Sequence, residues 1–342
     1  MFRRFAIVGL LASALSAGPV GQIASAAESA DAPRPVLRPC RLDPARVTTH
    51  SAKVSAGFYW PYLLYRPREM RTPFLLAVPN NTGFATSDPE LLAVDGTCAA
   101  AGAADLAERL GTPVLVPLFP RPRVPGEDEN LYLHALTRAS LLTQVPEYAR
   151  VDLQFIAMQD DASRALASGG IQVSRRILLD GFSASGSFVS RFAMLHPDRV
   201  LAVAAGSPGG WPIVPATRDG RSVLPYPVGT ADLKSLTGAA PTLAALRHVA
   251  WFFFLGDSDT NDSILYRDSF SRADAELIFD HFGATLPTRW KEAARLYRAR
   301  GLNARFKLYP DVAHEVSPEM QADIEAFFLG VTRAGGAAKP AG

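Results

Sequence analysis

The chain has 342 residues, of which 48% are hydrophobic, so its length allows one large domain or two small ones with an ample core. Lys and Arg number 35 against 33 Asp and Glu, and the formal net charge is +2. This balance provides no electrostatic footprint for nucleic acid or for an anionic membrane surface, and neither is expected as a partner.

The first 26 residues have the three parts of a secretory signal peptide. Arg3 and Arg4 come first, a mainly apolar stretch covers 5–17, and small residues occupy 24–26. The apolar stretch is too short to span a bilayer comfortably. We therefore expect residues 1–26 to be removed and the mature protein to be secreted or periplasmic, with no stable membrane anchor after cleavage. A retained anchor is the alternative.

The chain contains two cysteines, Cys40 and Cys98. Exported proteins meet an oxidising compartment, so this even pair predicts a disulfide bond, with two unpaired buried thiols as the alternative. Residues 27–46 and 333–342 are rich in Ala, Pro or Gly and are expected to be flexible. The folded domain is then expected to cover 47–332.

Strands and helices alternate along this domain. Strands are predicted at 73–78, 113–118, 177–180, 200–205, 249–255 and 304–309, with 62–65 as a candidate antiparallel edge strand. Helices are predicted at 97–110 before Gly111, along an apolar face from 151 to 166, after the turn at 181–185, and from Pro318 with Ser317 as N-cap. This alternation predicts an α/β fold with a mainly parallel central sheet flanked by helices.

The turn Gly-Phe-Ser-Ala-Ser at 181–185 joins a buried strand to a helix. A G-x-S-x-G turn in this setting is a nucleophile elbow, and here Ser185 stands in place of the last glycine. Such a turn can offer its serine both a base and backbone amides for an oxyanion, so it predicts Ser183 as a nucleophile, with Ser185 as the next candidate. An ordinary Ser/Gly-rich turn is the alternative.

Two later strands lead into residues that can serve this nucleophile. The strand at 249–255 is followed by an acidic turn with three candidate carboxylates, Asp257, Asp259 and Asp262. The strand at 304–309 is followed by a loop that contains His314, and none of the other histidines follows this last strand. The chain order is therefore a serine, an aspartate after a strand, and a loop histidine.

This order resembles that of the α/β-hydrolase superfamily, most specifically in G-F-S-A-S-G, F-L-G-D-S-D and the histidine of Y-P-D-V-A-H. The resemblance extends from about 73 to 329. Within the superfamily, the chain resembles secreted esterases and polyhydroxyalkanoate-depolymerase-like hydrolases. It implies the α/β-hydrolase fold, with Ser183 as the nucleophile and His314 as the general base. Asp259 would orient the histidine, since it occupies the aspartate position of the family's G-x-x-D pattern.

The acidic turn also matches several positions of a calcium-binding loop, namely Asp257, Asp259, Asn261, Ile264 and Asp268. The sixth position holds Asp262 where such loops require glycine, and the twelfth holds Asp268 where they use glutamate. A strand also precedes the turn where a calcium loop has a helix. We therefore expect neither a metal nor a cofactor.

An oxyanion hole requires a second amide beside that of Ala184. The strand at 73–78 ends in a polar turn, at the place where esterases of the superfamily carry a His-Gly-Gly run that this chain lacks. Alignment of the strand ends puts the amide of Asn81 in the hole, with Thr82 as the alternative. The same residues also fit a plain strand-to-helix turn.

The sequence thus predicts a secreted serine hydrolase that cleaves a small-molecule or polymeric carboxylic ester. A serine peptidase of the same fold and a non-catalytic binding protein on a hydrolase scaffold are the alternatives. Trp60, Phe84 and Trp211 are candidates for the wall of an acyl pocket, and 210–247 is a candidate cap because it has several prolines and no clear periodicity. Ordinary core or loop packing is an equal alternative for these residues.

Overall fold

The computed structural model describes residues 40–83, 85–122, 131–266 and 269–337. The predictions made for the signal peptide, for Phe84 and Asp268, and for parts of the two flexible ends lie outside the described residues. The strands are β1 (Val47–His50), β2 (Tyr62–Tyr65), β3 (Leu76–Ala77), β4 (Val114–Pro117), β5 (Ile177–Phe182), β6 (Val200–Gly206), β7 (Arg218–Asp219), β8 (Ser222–Val223), β9 (Ala250–Gly256) and β10 (Ala304–Tyr309). The α-helices are α1 (Pro89–Leu110), α2 (Arg138–Leu142), α3 (Val151–Ser168), α4 (Ala184–Leu195), α5 (Leu233–Thr237), α6 (Leu243–Arg247), α7 (Ser263–Tyr266), α8 (Arg272–Phe282), α9 (Leu286–Ala299) and α10 (Pro318–Ala337). Short 3-10 helices occupy Pro44–Arg46, Val54–Ala56, Leu133–Ala135 and Pro197–Arg199.

Most of these strands form one sheet in the order β1-β2-β4-β3-β5-β6-β9-β10, and β7 and β8 form a separate hairpin. β2 pairs antiparallel with β1 and with β4, whereas the pairs from β4 through β10 are parallel. Each residue of β9 is buried, as expected of a strand covered on both faces. The mainly parallel sheet predicted from the sequence is confirmed.

Helices cover both faces of this sheet and divide the core into two layers. Tyr62 and Leu64 of β2 belong to the layer under α3 and α4, and the alternate residues Leu63 and Tyr65 belong to the layer under α1 and α10. This alternation follows from the period of two along a strand. Within the described ranges, no helix is both long enough and apolar enough to cross a membrane.

The start of α1 and the position of β2 in the sheet differ from the sequence predictions. α1 begins at Pro89, eight residues before the predicted start, because Asp88 is its N-cap and accepts a hydrogen bond from the Glu90 amide at 2.9 Å. Gly111 ends the helix in the left-handed conformation, as predicted. β2 is antiparallel as predicted but is not an edge, since the mostly polar β1 pairs with it.

A disulfide bond joins Cys40 to Cys98, with the two Cα atoms 4.9 Å apart, so the bridge predicted from the cysteine count is confirmed. It closes a sequence separation of 58 residues and ties the start of the described chain to α1. A loop of this length gives a stabilisation of about 4 kcal/mol in the chain-entropy model.

The strand order reverses its direction at β3. The next strand in the chain, β4, lies on one side of β3, and the strand after that, β5, lies on the other. In open parallel sheets, ligands bind in the crevice outside the carboxyl ends of the strands at such a reversal. The turns that follow β3 and β5 are therefore the expected place for a functional site.

Candidate active site

The turn after β5 holds Ser183 in a conformation that is unusual for a residue with a side chain, with φ 61° and ψ −125°. β5 ends at Phe182 and α4 begins at Ala184, so this single residue connects strand to helix. A Cβ atom added at Gly181 would lie 2.5 Å from the carbonyl oxygen of Ser185. The glycine is required because the turn brings the strand and the first turn of the helix into contact.

Ser185, which stands where the family pattern has glycine, closes the elbow with its own side chain. Its hydroxyl donates to the Phe182 carbonyl at 2.8 Å and accepts from the Phe182 amide at 3.0 Å. The following Gly186 supplies the close packing, since a Cβ atom there would lie 2.3 Å from the Gly206 carbonyl oxygen. Ser185 is therefore part of the turn's scaffold, and Ser183 is the serine at its apex.

A continuous chain of hydrogen bonds runs from Ser183 to Asp259 through His314. The Ser183 Oγ atom lies 3.0 Å from His314 Nε2, and His314 Nδ1 lies 2.9 Å from Asp259 Oδ2. The three residues come from the ends of β5, β9 and β10, and are separated by 131 and 55 positions in the sequence. A hydroxyl, an imidazole within hydrogen-bond reach and a carboxylate on the other nitrogen of that imidazole have the geometry that a catalytic triad requires.

The three acidic candidates of the turn have different partners. Asp257 is exposed and accepts a hydrogen bond from the Asp311 amide at 2.8 Å. Asp262 binds the buried Arg289 guanidinium. Of the three, only Asp259 contacts His314.

Asp259 is held as a carboxylate by its surroundings. Asp259 is only 6% exposed. Besides the hydrogen bond with His314, its Oδ2 atom accepts a hydrogen bond from Ser207 Oγ at 2.7 Å, and its Oδ1 atom accepts one from the Asn261 amide at 2.8 Å. Burial acts to raise the pKa of Asp259, but the hydrogen bonds from His314, Ser207 and the Asn261 amide outweigh it and hold the pKa below its ordinary value. Ser207 was not predicted, because a serine after β6 carries no pattern that points to a partner far away in sequence.

Ser183 and His314 line a cavity of about 270 Å³, which we call the front cavity. Ala184 and Asn81, the predicted oxyanion donors, line the same cavity. Asn81 is fixed against the elbow by a hydrogen bond from its side-chain amide to the Phe182 carbonyl at 3.2 Å. Thr82, the alternative, is buried and its hydroxyl donates to Asp95 at 2.7 Å. The structure thus brings Asn81 rather than Thr82 to the front cavity.

The described lining of the front cavity is polar and has few large side chains. It includes Gly83, Arg121, Tyr132, Ala135, Ser187, Ser207, Gly209, Asn261, Ser263 and Ser269. The Arg121 guanidinium lies 4.1 Å from the centre of the Tyr132 ring, a cation–π geometry. Neither residue was predicted, since both come from the loop region after β4, whose path the sequence pattern does not specify.

Trp60 and Trp211, the two predicted pocket residues that the structure describes, are not among the described lining residues of the front cavity. Trp211 is 1% exposed, donates from its indole N–H to the Val228 carbonyl at 2.9 Å and stacks on Phe282. Trp60 donates to the Glu147 carbonyl at 2.8 Å and stacks on Tyr148. Both indoles have a partner for their N–H group, and the ring of Trp211 is buried whereas that of Trp60 is partly buried.

The segment 210–247, the candidate cap, contributes no residue to the described lining of the front cavity. It contains β7, β8, α5 and α6, and places its apolar side chains in the main core. These side chains are Trp211, Ile213, Val214, Ala216, Leu224, Tyr226, Val228, Leu233 and Leu246. Core packing, the alternative stated for this segment, accounts for these positions.

No family model and no curated protein sequence matches the chain. Solved structures are similar to it at low sequence identity. Poly(aspartic acid) hydrolase-1 from Sphingomonas sp. KT-1 is 17% identical, with a TM-score of 0.52 over 84% of this chain and 97% of that one. A poly(3-hydroxybutyrate) depolymerase from Bordetella parapertussis is 19% identical, with a TM-score of 0.49 over 83% and 90%. A ferulic acid esterase is 17% identical, with a TM-score of 0.46 over 84% and 97%. The chain has the α/β-hydrolase fold, as the sequence predicted.

Proposed function

We propose that the chain is a serine hydrolase that cleaves carboxylic esters through an acyl-enzyme. The observation that carries this proposal is the hydrogen-bonded chain from Ser183 through His314 to Asp259. Ser183 Oγ attacks the acyl carbon while His314 Nε2 takes its proton. Asp259 keeps the Nδ1–H tautomer of the imidazole in place and stabilises the imidazolium that forms.

The negative charge that develops on the acyl oxygen needs donors that are already in position. The backbone amides of Ala184 and Asn81 are proposed for this role, because both residues line the front cavity with Ser183. Collapse of the tetrahedral intermediate breaks the ester C–O bond, and the leaving alkoxide takes the proton from His314. Water then repeats the sequence on the acyl-enzyme, which releases the carboxylic acid and restores Ser183.

The lining of the front cavity supports an ester with a short or polar acyl group. Its described side chains are mainly serine hydroxyls and small residues, with Arg121 and Tyr132 as the large ones. A long aliphatic chain would desolvate this polar wall, in which the buried Ser187 hydroxyl has no hydrogen-bond partner within the described residues, and that is unfavourable. Export, as proposed from the signal-like start, is supported by the disulfide between Cys40 and Cys98.

A fluorophosphonate probe tests the proposal directly, because it phosphonylates only an activated serine. We expect labelling of the wild-type chain at Ser183, together with hydrolysis of p-nitrophenyl acetate, and loss of both in Ser183→Ala. Ser190→Ala is the matched control, since Ser190 lies in the helix that follows Ser183, is buried, and is not among the described residues that line the front cavity.

Peptide mapping of the modified residue identifies the nucleophile, and the substrate tests distinguish an esterase from a peptidase and from a binding protein. Modification of another serine, or full ester hydrolysis in Ser183→Ala, would overturn the proposed role of Ser183. Cleavage of peptide p-nitroanilides in preference to the ester would identify a peptidase with the same triad. A folded chain with no labelling and no hydrolysis of either substrate would be a non-catalytic binding protein.

A further inference from the structure

A second cavity, of about 440 Å³, lies on the other face of the elbow, and we call it the rear cavity. One face of α1 lines it, at positions that include Ala99, Gly102 and Leu106, and Ile324 of α10 lies opposite. β5 contributes Asp180 as well as the elbow residues next to it. The rear cavity is therefore separated from Ser183 by the strand-to-helix turn itself.

The rear cavity has the size and the walls of a small-molecule site. Sites of this kind occupy about 300–1,000 Å³ and are mostly apolar with a few polar groups. Leu106, Phe182, Phe254 and Ile324 supply apolar walls. Small residues on α1 keep the space open, and a Cβ atom added at Gly102 would meet no atom within 4 Å.

The Asp180 carboxyl group lines this apolar space, and few hydrogen-bond donors offset the cost of its burial. Burial raises the pKa of Asp180 to about 7, and the hydrogen bond from the Gly181 amide offsets only part of that effect. Arg109, the basic residue among the described lining residues, already pairs with Glu325 at 2.6 Å. Among the described residues, no basic side chain forms a salt bridge with Asp180.

Two other acidic residues, Asp95 and Asp105, line the rear cavity. Asp95 of α1 accepts hydrogen bonds from Asn80 and Thr82, at 3.2 and 2.7 Å, so its carboxylate is used to join α1 to the loop that follows β3. Asp105, also in α1, is exposed. The cavity therefore has an excess of negative charge together with apolar walls, and the ligand that complements both features is a cation with an apolar tail.

We propose that the rear cavity binds a small organic ammonium ion, with the ammonium group on the Asp180 carboxylate and its apolar tail between α1 and α10. The ammonium group would supply the positively charged hydrogen-bond donor that Asp180 lacks, and such charge-assisted hydrogen bonds are shorter and stronger than neutral ones. The tail would remove the walls formed by Leu106 and Ile324 from water. None of Ser183, His314 and Asp259 lines the rear cavity, so binding there can be tested apart from the proposed ester hydrolysis, although Asn81 lines both cavities.

Titration calorimetry with three eight-carbon probes tests the charge preference. We expect n-octylammonium to bind the full chain about tenfold or more tightly than 1-octanol, the effect of one charge-assisted hydrogen bond, and octanoate to bind more weakly than both. In Asp180→Asn, which keeps the shape of the side chain, the preference for octylammonium over octanol should disappear. Equal affinities for the three probes, or an unchanged preference in Asp180→Asn, would overturn the proposal.

A pair of glycine substitutions locates the site. Gly102→Phe should fill the rear cavity and weaken octylammonium binding at least tenfold, while it removes a glycine that is unfavourable within a helix. Gly330→Phe is the matched control, because Gly330 also lies in a helix, an added Cβ atom there also meets no atom within 4 Å, and it is not among the described lining residues. Equal binding in Gly102→Phe and Gly330→Phe would place the ligand elsewhere and refute the assignment.

Discussion

Asp259 and Asp180 both lie near the carboxyl ends of parallel strands, yet their surroundings differ. Asp259, after β9, accepts hydrogen bonds from three donors, one of which is His314. Asp180, in β5, lines the rear cavity and receives a hydrogen bond from the Gly181 amide. Burial acts on both, but the pKa of Asp259 lies below its ordinary value whereas that of Asp180 is raised to about 7.

The comparison shows that hydrogen-bond donors offset the effect of burial on the pKa of Asp259, whereas at Asp180 the effect of burial prevails. The donors around Asp259 keep it ionised, which suits a group proposed to stabilise an imidazolium. Asp180 lacks such donors, so its charge is sensitive to pH and to a cationic occupant of the rear cavity. The two sides of the elbow therefore suit the two roles we propose, ester hydrolysis at the front cavity and ligand binding at the rear cavity.

The largest expected effect comes from removing the charge on the front side. Asp259→Asn should lower kcat for p-nitrophenyl acetate by about 10⁴-fold, because an amide neither stabilises the imidazolium nor holds the required tautomer. Asp180→Asn should cause a far smaller loss, since Asp180 does not contact the hydrogen-bonded chain. Similar losses in the two variants would contradict the division of roles.

Asp257→Asn is the control for a general effect of charge in the acidic turn, because Asp257 is exposed and does not contact His314. Its kcat should stay close to that of the wild type. Asp262→Asn should act on stability instead, since it leaves the buried Arg289 guanidinium without its carboxylate partner. A loss in Asp262→Asn as large as that in Asp259→Asn, per folded molecule, would transfer the orienting role to Asp262.

The next effect concerns the wall of the rear cavity, to which Cys98 contributes. Replacement of both Cys40 and Cys98 by alanine should cost about 4 kcal/mol of unfolding free energy in the chain-entropy model, and lower Tm by roughly 5–10 °C. Thermal unfolding with and without reductant measures this. The rate of fluorophosphonate labelling of folded chain should be unchanged, because neither cysteine lines the front cavity; a large change in that rate would show that the two sides are coupled.

The sequence predicted elements well where one physical signal dominated. β10 has the predicted bounds, and the apolar face of α3 from Val151 to Leu166 is buried as expected, since a period of 3.6 identifies such a helix. β1 was missed because its polar residues are only partly buried and show no apolar run. β3 is a two-residue strand within a longer apolar run, because hydrophobicity marks burial and not the extent of pairing.

The site was predictable for those residues whose position in the chain order is informative. Ser183, Asp259 and His314 each follow a strand, and parallel strands bring their carboxyl ends to one edge, where the structure places them together. Ser207 and the rear cavity were not predicted, since each depends on the spacing of helices over the sheet. The contacts of Trp60 and Trp211 with the Glu147 and Val228 carbonyls were not predicted either, because an aromatic residue in sequence shows its size and not the direction of its side chain.

Asp180→Asn should change the pH dependence of stability. The folded pKa of Asp180, about 7, lies above the value of about 3.9 expected in the unfolded chain, so the wild type loses stability as pH rises from about 4 to about 7. Asparagine does not titrate. The unfolding free energy of the variant, relative to that of the wild type, should therefore rise between about pH 4 and pH 7, and the difference should stay constant above pH 7. We expect a change of about 2 kcal/mol, because Asp180 retains partial solvent contact through the cavity.

Urea unfolding of both proteins at pH 5 and pH 8 measures this difference. Asp95, Asp105 and Arg109 also line the rear cavity but are common to both proteins, so their contributions to the difference in stability cancel to first order. A difference that is constant between the two pH values would mean that Asp180 titrates normally. The electrostatic contrast with Asp259 would then be lost.

The smallest expected effect is that of removing one hydrogen-bond donor to Asp259, and it tests whether these donors influence the rate of hydrolysis. Ser207→Ala removes the hydrogen bond from Ser207 Oγ to Asp259 Oδ2, while the bond from His314 remains. A hydrogen bond to a charged group is worth about 1.5–3 kcal/mol, and only part of it should appear in the barrier, so we expect kcat to fall about tenfold with KM nearly unchanged. Ser258→Ala is the matched control, since that serine donates to Asp257, the neighbouring carboxylate that does not contact His314. If Ser207→Ala raised KM and left kcat intact, Ser207 would serve the substrate and not Asp259, and the low pKa of that carboxylate would matter less for catalysis than we infer.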